Sequence, residues 1–182
     1  MWNDILGQPE AAAVVKEKNL RRYIAVALLV LLAVGVASVA QADPTADKSG
    51  KFTLEIIAGW TQNESTDLFS IIAPNKIAQL SISSEAVPAE VTLALFQSVY
   101  VKQMKQALKS FALVSKGNTT VAGTPAGVWV YTGVADGVKL KFKNVVMFKG
   151  GTMYNVVMPT LPNLYKKDVE GMDKMLASWK WL

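Results

Sequence analysis

Cysteine and histidine are both absent from this sequence. Without a thiol there is no disulfide framework, no thiolate nucleophile and no cysteine to carry a lipid, so stability must come from packing. Without an imidazole, a Ser-His-Asp arrangement, zinc deaminase chemistry and ordinary zinc sites are excluded. Neither an S-x-x-K motif nor a phosphate-cradling G-x-x-x-x-G-K-[ST] loop is present. Arginine is scarce too: Arg21 and Arg22 are its only copies, and every basic residue after them is lysine. Bidentate recognition of guanine or phosphate recruits arginine, so the sequence points away from nucleic acid as a partner.

What the N-terminal part does contain is a long apolar run. Tyr23 to Ala40, YIAVALLVLLAVGVASVA, has no charge, and KEKNLRR (Lys16 to Arg22) stands directly before it. Small side chains at Ala40 and Ala42 have the spacing a signal peptidase accepts, followed by a polar run from Asp43. The pattern predicts an export signal over residues 1–42, with a retained membrane anchor as the alternative, and either form puts the remainder outside the cytoplasm. Residues 43–50 then read as a polar linker and residues 51–182 as a single domain. From Asp43 onward there are 15 lysines against 11 acidic residues, a modest positive excess.

Periodicity predicts the elements. KFTLEII begins a strand at Lys51 with Phe52, Leu54 and Ile56 on one face. AQLSISSEA alternates cleanly, with Ala78, Leu80, Ile82 and Ser84 opposite Gln79, Ser81, Ser83 and Glu85, which reads as a strand with one wet face. From Pro88 the period changes: Leu93, Phe96, Tyr100, Met104, Ala107 and Phe111 recur in steps of three and four, with Lys102, Lys105 and Lys109 opposite. That stretch predicts one long helix started by Pro88.

Three strands follow, GVWVYTG, VKLKFKNVVMF and TMYNVVMP, separated by the turn signals ADG and KGG, and a fourth is expected around Leu113 to Val121. Gly123 supplies a turn before the first of them, leaving Trp129 and Tyr131 on one face and Val128 and Val130 on the other. The closing DVEGMDKMLASWKWL reads as a helix capped by Asp168 with a stripe of Val169, Met172, Leu176 and Trp179, weakened at Gly171. The expected fold class is α+β: an antiparallel sheet of about six strands packed with a long middle helix and a C-terminal helix.

The order IIAGW, lysine-flanked helix, VAGTPAGVWVY, turn and strand, KGGTMYNVVM and ASWKWL resembles the DcrB-like periplasmic proteins and the wider group of PsbP, the extrinsic protein of photosystem II, and the Mog-type Ran-binding proteins. The likeness runs from about Lys51 to Leu182. It implies an antiparallel sheet sandwiched by helices and a protein without catalytic activity. It also implies scaffold roles for Trp60, Gly123, Pro125, Ala126, Trp129, Gly151, Tyr154, Ser178 and Trp179. Bacterial proteins of this kind are often lipoproteins, a feature from which this cysteine-free chain departs.

The positive chemical feature is KLKFK, where Lys139, Lys141 and Lys143 share one strand face and Leu140 and Phe142 the other. Lysines on a strand either solubilise it or, joined by Lys149, form a cationic patch that meets an envelope protein or an anionic membrane surface. Trp179 and Trp181 are either core plugs or an anchoring pair, with Trp181 the candidate contact residue. Carboxylates gather at Glu55, Glu64 and Asp67, at Glu85 and Glu90, and at Glu170 and Asp173, where helix-end or surface roles explain them. Asp43 and Asp47 lack the dense oxygen pattern of a calcium loop, so no metal and no cofactor is expected. The reading is a non-catalytic extracytoplasmic accessory or binding protein, acting in envelope integrity or in assembly of a membrane-associated complex. The alternative is a carboxylate-based hydrolase of envelope sugars.

The leader makes the first testable outcome. Intact-mass analysis of the protein isolated from its own envelope is expected to find Asp43 as the first residue; a full-length species held in the membrane is the opposing result.

Overall fold

A computed structural model describes residues 44–46, 51–63 and 68–182. The expected export segment lies outside the described residues, as do Asp43, Asp47, Glu64 and Asp67. The strands are β1 (Pro44–Ala46), β2 (Phe52–Glu55), β3 (Thr61–Asn63), β4 (Phe69–Ile72), β5 (Gln79–Ala86), β6 (Lys109–Val121), β7 (Thr124–Ala135), β8 (Val138–Lys149), β9 (Thr152–Thr160) and β10 (Lys180–Trp181). Two helices are described, α1 (Leu93–Ala107) between β5 and β6 and α2 (Tyr165–Ala177) between β9 and β10.

Seven strands form one antiparallel sheet in the order β3-β4-β5-β9-β8-β7-β6, and β1-β2-β10 form a small second sheet. The main sheet thus has one strand more than the pattern predicts. Pro44–Ala46, expected as linker, pairs with β2 from Pro44↔Glu55 to Ala46↔Thr53.

The meander from β6 to β9 is set by three two-residue turns. Val121 pairs with Thr124, Ala135 with Val138 and Lys149 with Thr152, leaving Ala122-Gly123, Asp136-Gly137 and Gly150-Gly151 as the loops. All six loop residues have positive φ, from 46° at Ala122 to 80° at Gly137. This is the type I′ geometry whose twist matches the flanking strands. Pro125 lies one residue beyond the last β7–β8 rung, Ala126↔Met147, where no ladder bond to β8 asks for the N–H it lacks.

Both faces of the sheet are covered. On one, Phe96, Tyr100 and Met104 of α1 pack with Trp129, Tyr131, Phe142, Val146 and Val157. On the other, Met172, Met175 and Leu176 of α2 pack with Phe52, Leu80, Val145, Met147 and Val156. Neighbours Val145 and Val146 thus belong to opposite cores, as strand alternation requires. Trp129 is 1% exposed, and its face is the α1 face.

Several sequence expectations shift. The middle helix begins at Leu93, capped by Thr92, whose hydroxyl accepts from Leu95 N at 3.3 Å. Pro88 sits in the preceding turn, accepting from Val91 N. Phe111 and Lys109 belong to β6, where Phe111 meets the Tyr131 ring at 5.5 Å. The polar face of β5 is not wet: Ser81 is buried, in line with buried Ser70 on β4. Asn144 and Asn155 continue the buried polar band, joined by an Asn144 Nδ2 to Asn155 Oδ1 bond of 2.5 Å.

Asp168 is not a cap either. Leu164 holds that position, and the Asp168 carboxylate is buried in the first turn of α2. It accepts from Asn75 Nδ2 at 2.9 and 3.1 Å and from the Thr160 hydroxyl. Asn75 Oδ1 in turn accepts from Ile77 N and Ala78 N, so one carboxylate ties α2 to the β4–β5 loop and to the end of β9. Burial of a carboxylate is tolerated because hydrogen bonds replace its water.

Gly171 has a packing reason. A Cβ there would stand 2.6 Å from Trp60 Cζ2, so the indole lies directly on the helix backbone. Helix propensity alone predicts that Gly171→Ala stabilises α2 by about 1 kcal/mol. The Trp60 contact reverses the sign, and the variant is expected to lose about 1–3 kcal/mol through overpacking, read as a lowered denaturant midpoint with unchanged slope.

Candidate functional site

The lysine row of β8 lies on the α2 face of the sheet, and the structure divides it. Lys143 Nζ stands 2.5 Å from Asp173 Oδ1, with side chains 15% and 50% exposed. Lys141 Nζ lies 4.1 Å from the centroid of the Tyr165 ring, a cation–π contact. Tyr165 and Asp173 are eight residues apart on α2, two turns along one face. The face expected to be wet is therefore partly roofed and partly neutralised, and Lys139 alone of the three is exposed.

Lys149 does not join the row. It is six residues further along the strand, about 20 Å at strand rise, and its Nζ lies 4.7 Å from the Trp181 ring. Trp181 Nε1 donates to Thr124 Oγ1 at 3.0 Å, and its ring meets Tyr154 at 4.9 Å and Trp179 at 5.2 Å. Trp179 stacks on Phe52 with centroids 3.9 Å apart. Trp179 is thus core, while half-buried Trp181 closes the end of the sandwich as β10.

The other positions implied by the resemblance are held by the scaffold. Trp60 ends the turn of Gly59, whose φ is 83°. Ala126 and Tyr154 are buried. Gly123 and Gly151 sit in the hairpin loops with φ of 75° and 71°. Ser178 Oγ accepts from Glu55 N and donates to Met175 O, each at 2.8 Å, fastening the end of α2 to β2.

Beside the Lys143–Asp173 pair runs a groove of about 380 Å³. Its rim is the end of β6 from Thr119 to Val121 with Ala122 of the following turn, its floor Val128 and Val145, and its far wall Leu176 and Ala177. The groove offers one ion pair and an apolar floor beside its threonine rim. Asp173 is its only carboxylate among the described residues. Glu170 instead pairs with Lys174 at 3.0 Å. Asp173, Tyr165 and the threonine rim were not selected by residue spacing, because the helix register that aims them at β8 depends on how α2 docks.

Tyrosines supply the perturbed groups. Burial pushes Tyr165 up to about 12, with the nearby Asp173 charge adding to it. Under α1, the hydroxyls of Tyr100 and Tyr131 lie 3.1 Å apart in the core. Burial raises both: Tyr131 rises to about 12 against a lowering hydrogen bond from Tyr100, and Tyr100 rises well above its usual value.

A seven-stranded antiparallel sheet between helices, with a small sheet closing one end, defines the PsbP/Mog-type α+β sandwich. Among solved structures the chain is similar to the cyanobacterial PsbP protein CyanoP of Synechocystis sp. PCC 6803, at TM-score 0.58 and 15% identity over 84% of this chain and 99% of that one. It is similar to LpqN of Mycobacterium tuberculosis, involved in cell envelope biogenesis, at TM-score 0.57 and 11% identity over 78% and 90%. The Saccharomyces cerevisiae Ran-binding protein Mog1p matches at TM-score 0.57 and 9% identity over 78% and 96%. No protein-family model and no curated protein matches the chain. At these identities the likeness is one of fold.

The tyrosines give an alkaline prediction. Because burial raises their folded values above that of the unfolded chain, their contribution to stability is complete below about pH 10 and is lost as pH rises through about 12. Tyrosinate absorbance against pH is expected to show the Tyr100–Tyr131 pair ionising only as the protein unfolds. Asp173→Asn is expected to lower the Tyr165 midpoint, because the neighbouring negative charge is gone.

Proposed function

We propose that this is a non-catalytic, extracytoplasmic binding protein that uses the groove beside α2 and the adjoining lysines to hold an acidic region of an envelope protein, as an accessory to assembly of a membrane-associated complex. The observation that carries the reading is the Lys143–Asp173 pair at the groove wall. An ion pair with a half-exposed carboxylate is weak in water, so a partner carboxylate can displace Asp173 from Lys143 at little cost. The apolar floor beneath supplies the burial that charges alone do not.

The outward direction comes from the basic, uncharged and small-residue pattern of the leader, and the DcrB-like order of motifs agrees with it. No described helix is long and apolar enough to cross a membrane. The fold neighbours include a PsbP protein and a protein involved in cell envelope biogenesis, and an accessory role is compatible with both. Sugar hydrolysis by paired carboxylates needs two facing acids, whereas the groove presents Asp173 alone among the described residues.

The test compares the parent with a Lys139→Gln, Lys141→Gln, Lys143→Gln variant in affinity capture from an envelope extract and in cosedimentation with anionic vesicles, at low and moderate salt. The parent is expected to recover a protein partner that the variant loses and that salt weakens. Equal recovery by both proteins at every salt concentration overturns the reading, and loss of vesicle binding alone replaces the protein partner by a membrane.

A further inference from the structure

The lysines with no carboxylate beside them in sequence are elsewhere. From Leu93 to Val121, through α1 and β6, the chain carries Lys102, Lys105, Lys109 and Lys116 and not one aspartate or glutamate. Lys102, Lys105, Lys109 and Lys116 are all exposed. Gln97 Nε2 on α1 donates to Asn118 Oδ1 on β6 at 2.7 Å, which fixes the helix side that faces this strand. Lys105 lies two i+4 steps from Gln97, on that same side.

β6 itself ends the main sheet, paired with β7 and with no described strand beyond it. Its residues from Ala112 to Thr120 are all exposed. Register shifts interrupt the pairing between Lys109 and Ala112 and between Leu113 and Ser115, but from Ser115 to Val121 the ladder is regular. Counting back from the Val121↔Thr124 rung, Val121, Thr119, Gly117 and Ser115 turn their backbone groups toward β7. Thr120, Asn118 and Lys116 therefore present N–H and C=O outward along an open edge. Proteins blunt such edges with bulges and lysine, and here both bulges fall in the first half, leaving the second as a pairing template.

We propose that the Ser115–Val121 edge of β6 is a docking site for an extended acidic segment of a partner protein, which adds as an eighth strand and is held in register by Lys116 and Lys105. Backbone hydrogen bonds to Lys116, Asn118 and Thr120 supply the attachment, and the lysine-only flank selects carboxylates opposite it. Like charge on both copies disfavours the same edge of a second molecule as the occupant. This edge touches the groove beside α2 only at Thr119–Val121, whereas Lys116 and Asn118 lie outside it and distinguish the two surfaces.

The probe is a capped peptide alternating glutamate with valine, with a lysine–valine peptide as its counterpart, added to the protein as isolated from its host. Hydrogen exchange read by NMR is expected to show slowed exchange at the amides of Lys116, Asn118 and Thr120 with the acidic peptide and not with the basic one. Lys116→Glu is expected to weaken binding roughly fivefold at low salt. Lys116→Pro, which also removes an outward donor, is expected to weaken it roughly tenfold or more. Each variant is checked for an unchanged thermal midpoint, and Lys105→Glu serves as a second charge reversal should Lys116→Pro unfold. Unchanged amides at Lys116 and Asn118 with the acidic peptide, protection confined to Thr119–Val121 and the rest of the groove, or equal binding by the variants overturns the proposal. So does sedimentation showing a dimer that protects the same amides without peptide.

Discussion

The register of the β6–β9 meander is the constraint on which everything else in this molecule depends. Each of its three turns has two residues at positive φ, a conformation open at little strain to glycine and to few others. A slip of one residue in any of these strands would exchange its two faces. Trp129 and Tyr131 would leave α1, Lys141 and Lys143 would leave α2, and two cores that share the same strands would be lost together. The glycines at 123, 137 and the 150–151 pair therefore set the position of side chains many ångströms from any turn.

Because β9 and the Val145–Phe148 part of β8 bury apolar side chains on both faces, the sheet is stable only as the middle layer of a sandwich. The helices answer that requirement differently. α1 brings three large side chains, Phe96, Tyr100 and Met104, and encloses a tyrosine pair. α2 brings methionines, gives up a side chain at Gly171 to admit Trp60, and holds Asp168 inside with Asn75 and Thr160 as its partners. Its exposed side then lays Tyr165 and Asp173 over the lysines of β8, so the same docking that completes the core creates the groove and fixes its charge. Structure and candidate binding chemistry thus share one interface.

Charge is distributed by these contacts rather than by composition. The lysine row on β8 is tempered by α2, while the α1–β6 flank, with comparable lysine content, has no acid in its own sequence to temper it. Surfaces of one sign attract opposite charge at a distance and select orientation more than they add affinity. Surfaces of this kind are suited to reversible contact with an oppositely charged one.

The alternation of VWVY, the turn signals ADG and KGG, the three-and-four spacing of Phe96, Tyr100 and Met104 and the absence of cysteine and histidine were all legible in the sequence. They report on neighbours a few residues away, which is the range over which strand and helix periodicity acts. The sequence likewise determined which chemistries are closed to this chain. Only the tertiary structure decided that Pro44–Ala46 pairs with β2, that Lys180–Trp181 leaves the helix to join the same small sheet, and that Ser81 and Asp168 are inside. Only it decided that Lys143 meets Asp173 and that β6 is left at an open edge. Those outcomes depend on which elements dock against which, and a polar residue carries no local mark of whether water, a helix or a second strand will stand in front of it.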